Sequence, residues 1–186
     1  MTVPKAVREA LGLRQGDQLS WELENGSVRV RAVAPLDLAY LRGLEATLTE
    51  WSSQADEEAF GDLCVRIQRP GVMTPLERFA VVRVPFPFSD RQASKRRPAV
   101  VLSEPAFQQH SGHLLLAMVT SARQSAWPLD WPIANLTAAG LGQPCLVRVK
   151  LFTLDERLVL GTVGLLDPDD WIGVTANLQA LFPAGG

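Results

Sequence analysis

The spacing of apolar side chains changes several times along the chain, and each change predicts an element. Val7, Ala10 and Leu11 recur at helical spacing; Pro4 suits the first helical turn and Gly12 can end the helix. "QLSWELE" and "SVRVRAV" then alternate as two strands, and Asn25-Gly26 between them is the preferred pair for a tight hairpin turn. A unit of about thirty residues cannot bury a core of its own, so it needs a partner, most simply a second copy of itself.

Residues 36–63 begin with a helical stripe, Leu38, Leu41, Leu44 and Leu48, and end in an acidic stretch punctuated by Trp51 and Phe60. Alone, this segment has too little apolar surface and too much charge to fold stably. Large aromatics spaced along an acidic, weakly structured tail suit a partner's groove; the alternative is a helix packed on its own domain. Residues 64–72, "CVRIQRPGV", hold no period and read as a connector, able to span roughly 30 to 35 Å when extended.

From Met73 the pattern becomes β-rich. "FAVVRVPFPF", "RPAVVLS", "HLLLAMVTSA", "CLVRVKLFTL" and "LVLGTVGLL" are short apolar or alternating runs between turn residues, which predicts a small barrel or sandwich. A helix closes the chain: Asp167 as N-cap, Pro168 in the first position, Asp169 and Asp170 complementing the dipole. Its apolar face, Trp171, Val174, Leu178, Leu181 and Phe182, is expected to pack on the barrel.

Composition adds charge asymmetry to this picture. The net charge of −2 over 186 residues divides into −5 for residues 1–63 (six Lys/Arg, eleven Asp/Glu) and +3 for residues 64–186 (twelve and nine). Two parts that attract each other, or two separately solvated surfaces, both fit. No run of eighteen apolar residues predicts a membrane span, and no signal-peptide core follows Met1, so the expected compartment is the cytoplasm. Cys64 and Cys145 are far apart and read as reduced thiols; two histidines and no Cys/His cluster argue against a zinc site.

"TVPKAVREALGLRQGDQLSWELENGSVRVRAV" resembles the swapped-hairpin DNA-binding domain of AbrB/MazE-type antitoxins, with its V-P-K-x-V-R-x-x-L-G-L start and its Gly16-Asp17 turn. "EWSSQADEEAFGDL" is similar to the toxin-wrapping end of such antitoxins. From about residue 76, "VVRVPFPFSDRQASKRRPAVVLS", "LLLAMVTSA" and "LVRVKLFTLDERLV" resemble the MazF/PemK toxin family. The fold class expected on these grounds is mainly β with α. A truncated AbrB-like hairpin (1–34, only Met1 to Val3 left of its first strand) and an acidic toxin-binding tail (35–63) precede a connector (64–72). An SH3-like small barrel with a C-terminal helix (73–186) follows. Met73 stands where a separate toxin would start, so the connector reads as a translated spacer.

The resemblance implies a homodimeric toxin that cleaves single-stranded RNA sequence-specifically without metal or cofactor. It further implies an antitoxin part that binds promoter DNA and fills the RNA groove with its tail, in cis or in trans. Two other readings stay open: a DNA-binding autoregulator with a non-catalytic barrel, and a toxin that binds a protein target such as a topoisomerase. Cleaving RNA without a metal uses the 2′-hydroxyl as internal nucleophile, so the protein must stabilise charge on the phosphoryl oxygens. A guanidinium fork suits that task. "KRRP" by itself is a solvated basic turn as readily as a phosphate site. The family motif maps Arg97 to the catalytic arginine and Thr120 to the catalytic threonine. Lys95, Arg96 and Ser121 then fall to RNA binding, with residues 89–96 as a loop and Pro98–Ser103 as the strand.

Trp51, Asp56, Glu57, Glu58 and Phe60 are the expected toxin-antitoxin contacts, with carboxylates in the places of RNA phosphates. Lys5, Arg8 and Arg14 are candidate DNA contacts, or plain helix-surface charges. His110 and His113 read as solvated loop residues. Asp130, Asp155 and Glu156 suit pairing with barrel cations, and Trp131 suits base stacking or core packing.

Overall fold

The computed structural model describes residues 4–10, 18–24, 27–33, 36–61, 63, 76–88 and 95–182. Two compact units divide the chain, Met1–Asp37 and Leu38–Gly186. In the first, helix α1 (Lys5–Ala10) starts where the Pro4 carbonyl accepts from the amides of Val7 and Arg8, both at 3.1 Å. Strands β1 (Gln18–Glu24) and β2 (Ser27–Val33) pair antiparallel from Gln18↔Val33 to Glu24↔Ser27, with the predicted bounds. Gly12, Arg14 and the Asn25-Gly26 turn lie outside the described residues, as does the connector.

The second unit is built on six antiparallel strands: β3 (Ala80–Phe86), β4 (Lys95–Val101), β5 (His113–Ser121), β6 (Trp131–Pro132), β7 (Cys145–Asp155) and β8 (Gly161–Leu165). They lie in the order β6-β7-β5-β4-β3-β8. The sheet curls so that the β6–β7 loop meets the far edge: the Leu165 amide donates to the Ala138 carbonyl at 3.0 Å. Two glycines permit that approach. A Cβ on Gly140, whose φ is +70°, would sit 2.1 Å from the Val163 carbonyl oxygen, and one on Gly164 would sit 2.3 Å from that of Ala138.

One face of the sheet packs Val81, Val100, Ala117, Val119 and Val147 into a core with Ile133, Leu141, Leu166 and Val174. The architecture is thus mixed β with α, a curled antiparallel sheet with a C-terminal helix. Among the described residues no helix is long and apolar enough to cross a membrane.

The five predicted β runs each contain a strand, and several details differ from the expectation. Strand β4 spans Lys95–Val101, so Lys95 and Arg96, expected in a loop, belong with Arg97 to the ladder, opposite Phe86, Pro85 and Val84; residues 89–94 of that expected loop lie outside the described residues. Pairing with β3 extends the strand past the point where the apolar pattern stops. The short helix α4 (Pro105–Ser111) and two-residue β6 were not foreseen; α4 is one turn or two, too short to show a period. Helix α5 (Pro168–Leu181) has its expected cap, Asp167 accepting from the Asp169 amide. Its predicted apolar face is only partly used: Val174 is buried and Trp171 stacks on Phe79 at 5.5 Å, but Leu181 and Phe182 are exposed.

Asp170, 1% exposed, replaces part of that face with polar bonds. Its carboxylate accepts from Trp131 Nε1 (3.0 Å) and from the amides of Ala134 (2.9 Å) and Asn135 (3.0 Å), fixing the loop that closes the sheet. Trp131 therefore packs against α5 rather than offering a stacking surface. Asp170→Ala would strand these buried donors at about 1–3 kcal/mol each. A fall in thermal midpoint of more than ten degrees is expected, and an unchanged midpoint would contradict this account.

Residues 38–60 fold onto the sheet as helix α2 (Leu38–Thr47), a 3-10 turn (Thr49–Ser52) and helix α3 (Gln54–Phe60), whose last residue, Phe60, joins the core. The acidic stretch is therefore helical. Of the predicted leucine stripe, Leu41 and Leu48 are buried, whereas Leu38 is exposed. Tyr40 Oη donates to the Thr153 carbonyl at 2.7 Å, tying α2 to β7.

Candidate functional site

The site is a groove on the sheet, filled by α2, the 3-10 turn and α3. Trp51 enters it deepest and is wholly buried. The edges or faces of Phe86, Phe88 and Phe152 surround its ring, with centroids at 5.4, 6.1 and 5.7 Å, and its Nε1 donates to the Val119 carbonyl at 2.8 Å. Both needs of an indole, apolar contact and one acceptor, are met by residues of β3, β5 and β7 and by Phe88 just beyond β3.

Two residues later Ser53 caps α3, its hydroxyl accepting from the Asp56 amide at 3.2 Å. That cap sets Asp56 and Glu57 in the first turn of the helix, where carboxylates are favoured. Asp56 is fully buried: Thr120 Oγ1 donates to its two oxygens at 2.9 and 2.8 Å, and the Ser121 amide donates at 2.9 Å. Glu57 reaches the neighbouring strand, where its Oε2 accepts from Arg97 Nη2 at 2.6 Å and lies 3.1 Å from Lys95 Nζ.

Arg97 is itself 0% exposed and donates further to the carbonyls of Trp51 (Nε, 2.9 Å) and Arg96 (Nη1, 3.0 Å). The register Ala99↔Met118 brings β4 and β5 together just before Arg97 and Thr120, so one acidic pair bridges both strands. The site thus holds two adjacent carboxylates against a guanidinium, an ammonium, a hydroxyl and a backbone N–H. Such a donor set suits a phosphate diester as well as it suits these carboxylates.

The two carboxylates titrate in opposite directions. Bonds from Arg97 and Lys95 hold Glu57 below its ordinary 4.5. Burial pushes Asp56 above 3.8, against the bonds from Ser121, Thr120 and Gln124. Glu57 therefore favours the docked tail fully above pH 4.5 and loses that contribution as pH falls through its lowered value. Asp56 acts inversely: its protonated form favours docking below pH 3.8, and the contribution fades as pH rises through its raised value. Glu57→Gln is expected to dock less firmly at neutral pH and to lose less on acidification, read from Trp51 emission. Parallel acid profiles for the two chains would refute the assignment.

Of the other predicted contacts, Phe60 is buried in the core cluster, and Glu58 pairs with Arg123 at 2.5 Å on the surface. Arg96 is half-buried on β4. Lys5 and Arg8 lie exposed on α1 in the first unit, Lys5 3.6 Å from Glu9. His110 and His113 are exposed, with ring nitrogens on the carbonyls of Ala106 and Ser111. Asp130 pairs with Arg148 and Asp155 with Arg157. Burial pushes the Cys145 thiol up to about 12, leaving it inert as a nucleophile. Sequence reasoning missed Glu50, Gln124, Arg148 and Lys150. Gln124 Nε2 bonds Ser53 Oγ at 2.5 Å, and Glu50 meets both Arg148 and Lys150. The alternation of "CLVRVKLF" was the available signal, since it sets two cations two residues apart on a strand.

No curated protein sequence matches the chain. Solved structures to which the chain is similar include MazE-MazF from Deinococcus radiodurans (20% identity, TM-score 0.48, 60% of this chain and 99% of that one). A second is an endoribonuclease in complex with its cognate antitoxin from a mycobacterial species (14% identity, TM-score 0.47, 61% and 99%). A third is MazF from Deinococcus radiodurans (23% identity, TM-score 0.47, 60% and 99%). Residues 1–36 match the profile of the bacterial antitoxin MazE, described as antidote-toxin recognition. Residues 77–182 match the profile of the PemK-like, MazF-like toxin of type II toxin-antitoxin systems. With more than half of its length in that second match, the chain belongs to the PemK-like, MazF-like toxin family, with the MazE-matching residues 1–36 ahead of the matched toxin region.

Proposed function

We propose that residues 73–186 form an endoribonuclease that cleaves single-stranded RNA and that residues 35–63 hold it latent by filling its substrate groove. The observation that carries the reading is the acidic pair Asp56-Glu57, set between Arg97, Lys95, Thr120 and the Ser121 amide. In the open groove a phosphodiester takes the place of these carboxylates. The RNA 2′-oxygen attacks phosphorus as its proton leaves, the bond to the 5′-oxygen breaks, and that oxygen takes up a proton. Arg97 stabilises the phosphoryl oxygens as negative charge grows on them, and the Thr120 hydroxyl and Ser121 N–H donate alongside. Lys95 and Arg96 attract the strand's backbone. Latency follows from connection: a tethered tail competes at an effective concentration of roughly millimolar. The first unit, with Lys5, Arg8 and Arg14, is proposed to bind promoter DNA, and two chains to associate through it.

The test compares RNA cleavage by the full chain, by the chain carrying Trp51→Ala and Asp56→Ala, and by that opened chain with Arg97→Ala. Cleavage only by the second supports the proposal. Equal activity of the first two removes latency, and activity that survives Arg97→Ala removes the assigned chemistry.

A further inference from the structure

The tail carries a second anion that the cleavage site does not explain. Glu50, just before Trp51, spreads its carboxylate across two cations of β7: Oε1 lies 3.2 Å from Arg148 Nη1 and Oε2 lies 2.7 Å from Lys150 Nζ. Burial works against this charge, yet the bonds from Lys150 and Arg148 keep Glu50 ionised below its ordinary range. Beneath it the site is built from the strand side alone. Arg148 is 0% exposed, and Asp130 grips it in a two-point pair, Nε to Oδ1 at 3.0 Å and Nη2 to Oδ2 at 2.7 Å.

The same Asp130 Oδ2 accepts from the Trp127 amide at 2.8 Å, so one carboxylate fixes both the guanidinium and the turn beside it. Trp127 in consequence lies over the two cations, its ring centre 5.1 Å from the Arg148 guanidinium carbon and 4.8 Å from Lys150 Nζ. The indole is 42% exposed. With Asp130 answering Arg148, the pocket keeps the charge of Lys150 and the free Nη1 edge of Arg148 for a visiting anion.

Strand register relates this pocket to the cleavage site. Arg148 pairs with Met118 and Leu146 with Thr120, so Arg148 and Thr120 share a face as diagonal neighbours, about 7–8 Å apart. A β7 irregularity follows directly, adding Val149 and Lys150 between Arg148 and Leu151, and such bulges re-aim side chains at functional edges. A charged pair and an aromatic face at that separation match the repeat of a nucleotide: one phosphate, one base.

Resting on the nuclease reading of the groove, we propose that Arg148, Lys150 and Trp127 form a second nucleotide subsite for the RNA strand. Arg148 Nη1 and Lys150 hold a phosphate flanking the cleaved bond, Trp127 stacks the adjoining base, and Asp130 is the positioning residue. Glu50 stands in for that flanking phosphate in the docked tail, as Asp56 and Glu57 stand in for the cleaved one. The tail therefore copies two successive phosphates of a strand, with Trp51 between them.

The experiment uses the full chain opened by Trp51→Ala and Asp56→Ala, with RNA carrying 2′-O-methyl groups throughout so that it binds without being cut. For a strand of about eight nucleotides, Lys150→Ala should lower the slope of log affinity against log salt by about 0.7. Trp127→Ala should weaken binding about fivefold or more. Lys150→Arg and Trp127→Phe should restore most of each loss, which a merely structural role would not do. A dinucleotide, whose single phosphate sits at Arg97 and Thr120, should bind all these chains alike. If both alanine variants bind the longer strand with unchanged affinity and slope while the opened chain still cuts unmodified RNA, the subsite falls and the nuclease stands. If the alanine effects appear but unmodified RNA is not cut, the subsite stands and the nuclease reading falls.

Discussion

Trp51→Ala in the full chain should switch on RNA cleavage. Removing a fully buried tryptophan costs about 3–5 kcal/mol where the pocket cannot collapse. Here the pocket walls are strand residues, Phe86, Phe152 and the Val119 carbonyl, which cannot follow the missing ring. The loss falls on docking rather than on the sheet, because Trp51 belongs to the tail and the open groove refills with water. It corresponds to a rise of about a hundredfold to a few thousandfold in the open fraction. The bonds of Asp56 and Glu57 remain, but the Trp51 carbonyl no longer holds its place against Arg97 Nε. Cleavage rate and amide exchange in α2 and α3 should rise together. A variant whose tail amides exchange faster while RNA stays intact would separate docking from latency and refute the latter.

In that opened chain, Arg97→Ala should lower the cleavage rate by about 10²–10³, the usual cost of losing a donor aimed at developing charge. The effect should fall on turnover more than on strand affinity, since Lys95, Lys150 and other cations still attract the backbone. Arg97→Lys should recover little, because an ammonium offers a point charge where the fork offers two parallel bonds. Thr120→Val, which keeps shape and removes the hydroxyl, should cost less than Arg97→Ala and leave the fold intact. Arg97 is buried among carbonyls in the docked chain, so each variant's melting curve must accompany its rate. Unchanged turnover in a folded Arg97→Ala chain would end the assignment.

Much of the scaffold can be read from periodicity. The hairpin strands, the five β runs and the Asp167 cap each depend on neighbours in sequence: the hairpin strands and the cap form as foreseen, and each run contains a strand. Lys95–Arg97 could not be read this way. Three cations carry no apolar alternation, so only their pairing with Val84, Pro85 and Phe86 makes them strand. Helix α5 shows the converse, since its periodic face promised five packed residues and Asp170 took part of that role by capping a distant loop.

The sequence by itself determined the kinds of groups available: an acidic aromatic tail, a basic β-rich half, and a family motif singling out Arg97 and Thr120. Local pattern suffices for these because period, turn chemistry and charge are properties of neighbouring residues. Only the tertiary structure decided which group meets which. It set Asp56 on Thr120, Glu57 on Arg97 and Glu50 on Arg148 and Lys150, contacts spanning 40 to 100 residues. It also left Trp127 exposed and tied Trp131 to Asp170. Such pairings depend on strand register and on the path of the tail across the sheet, and no window along the chain contains that information.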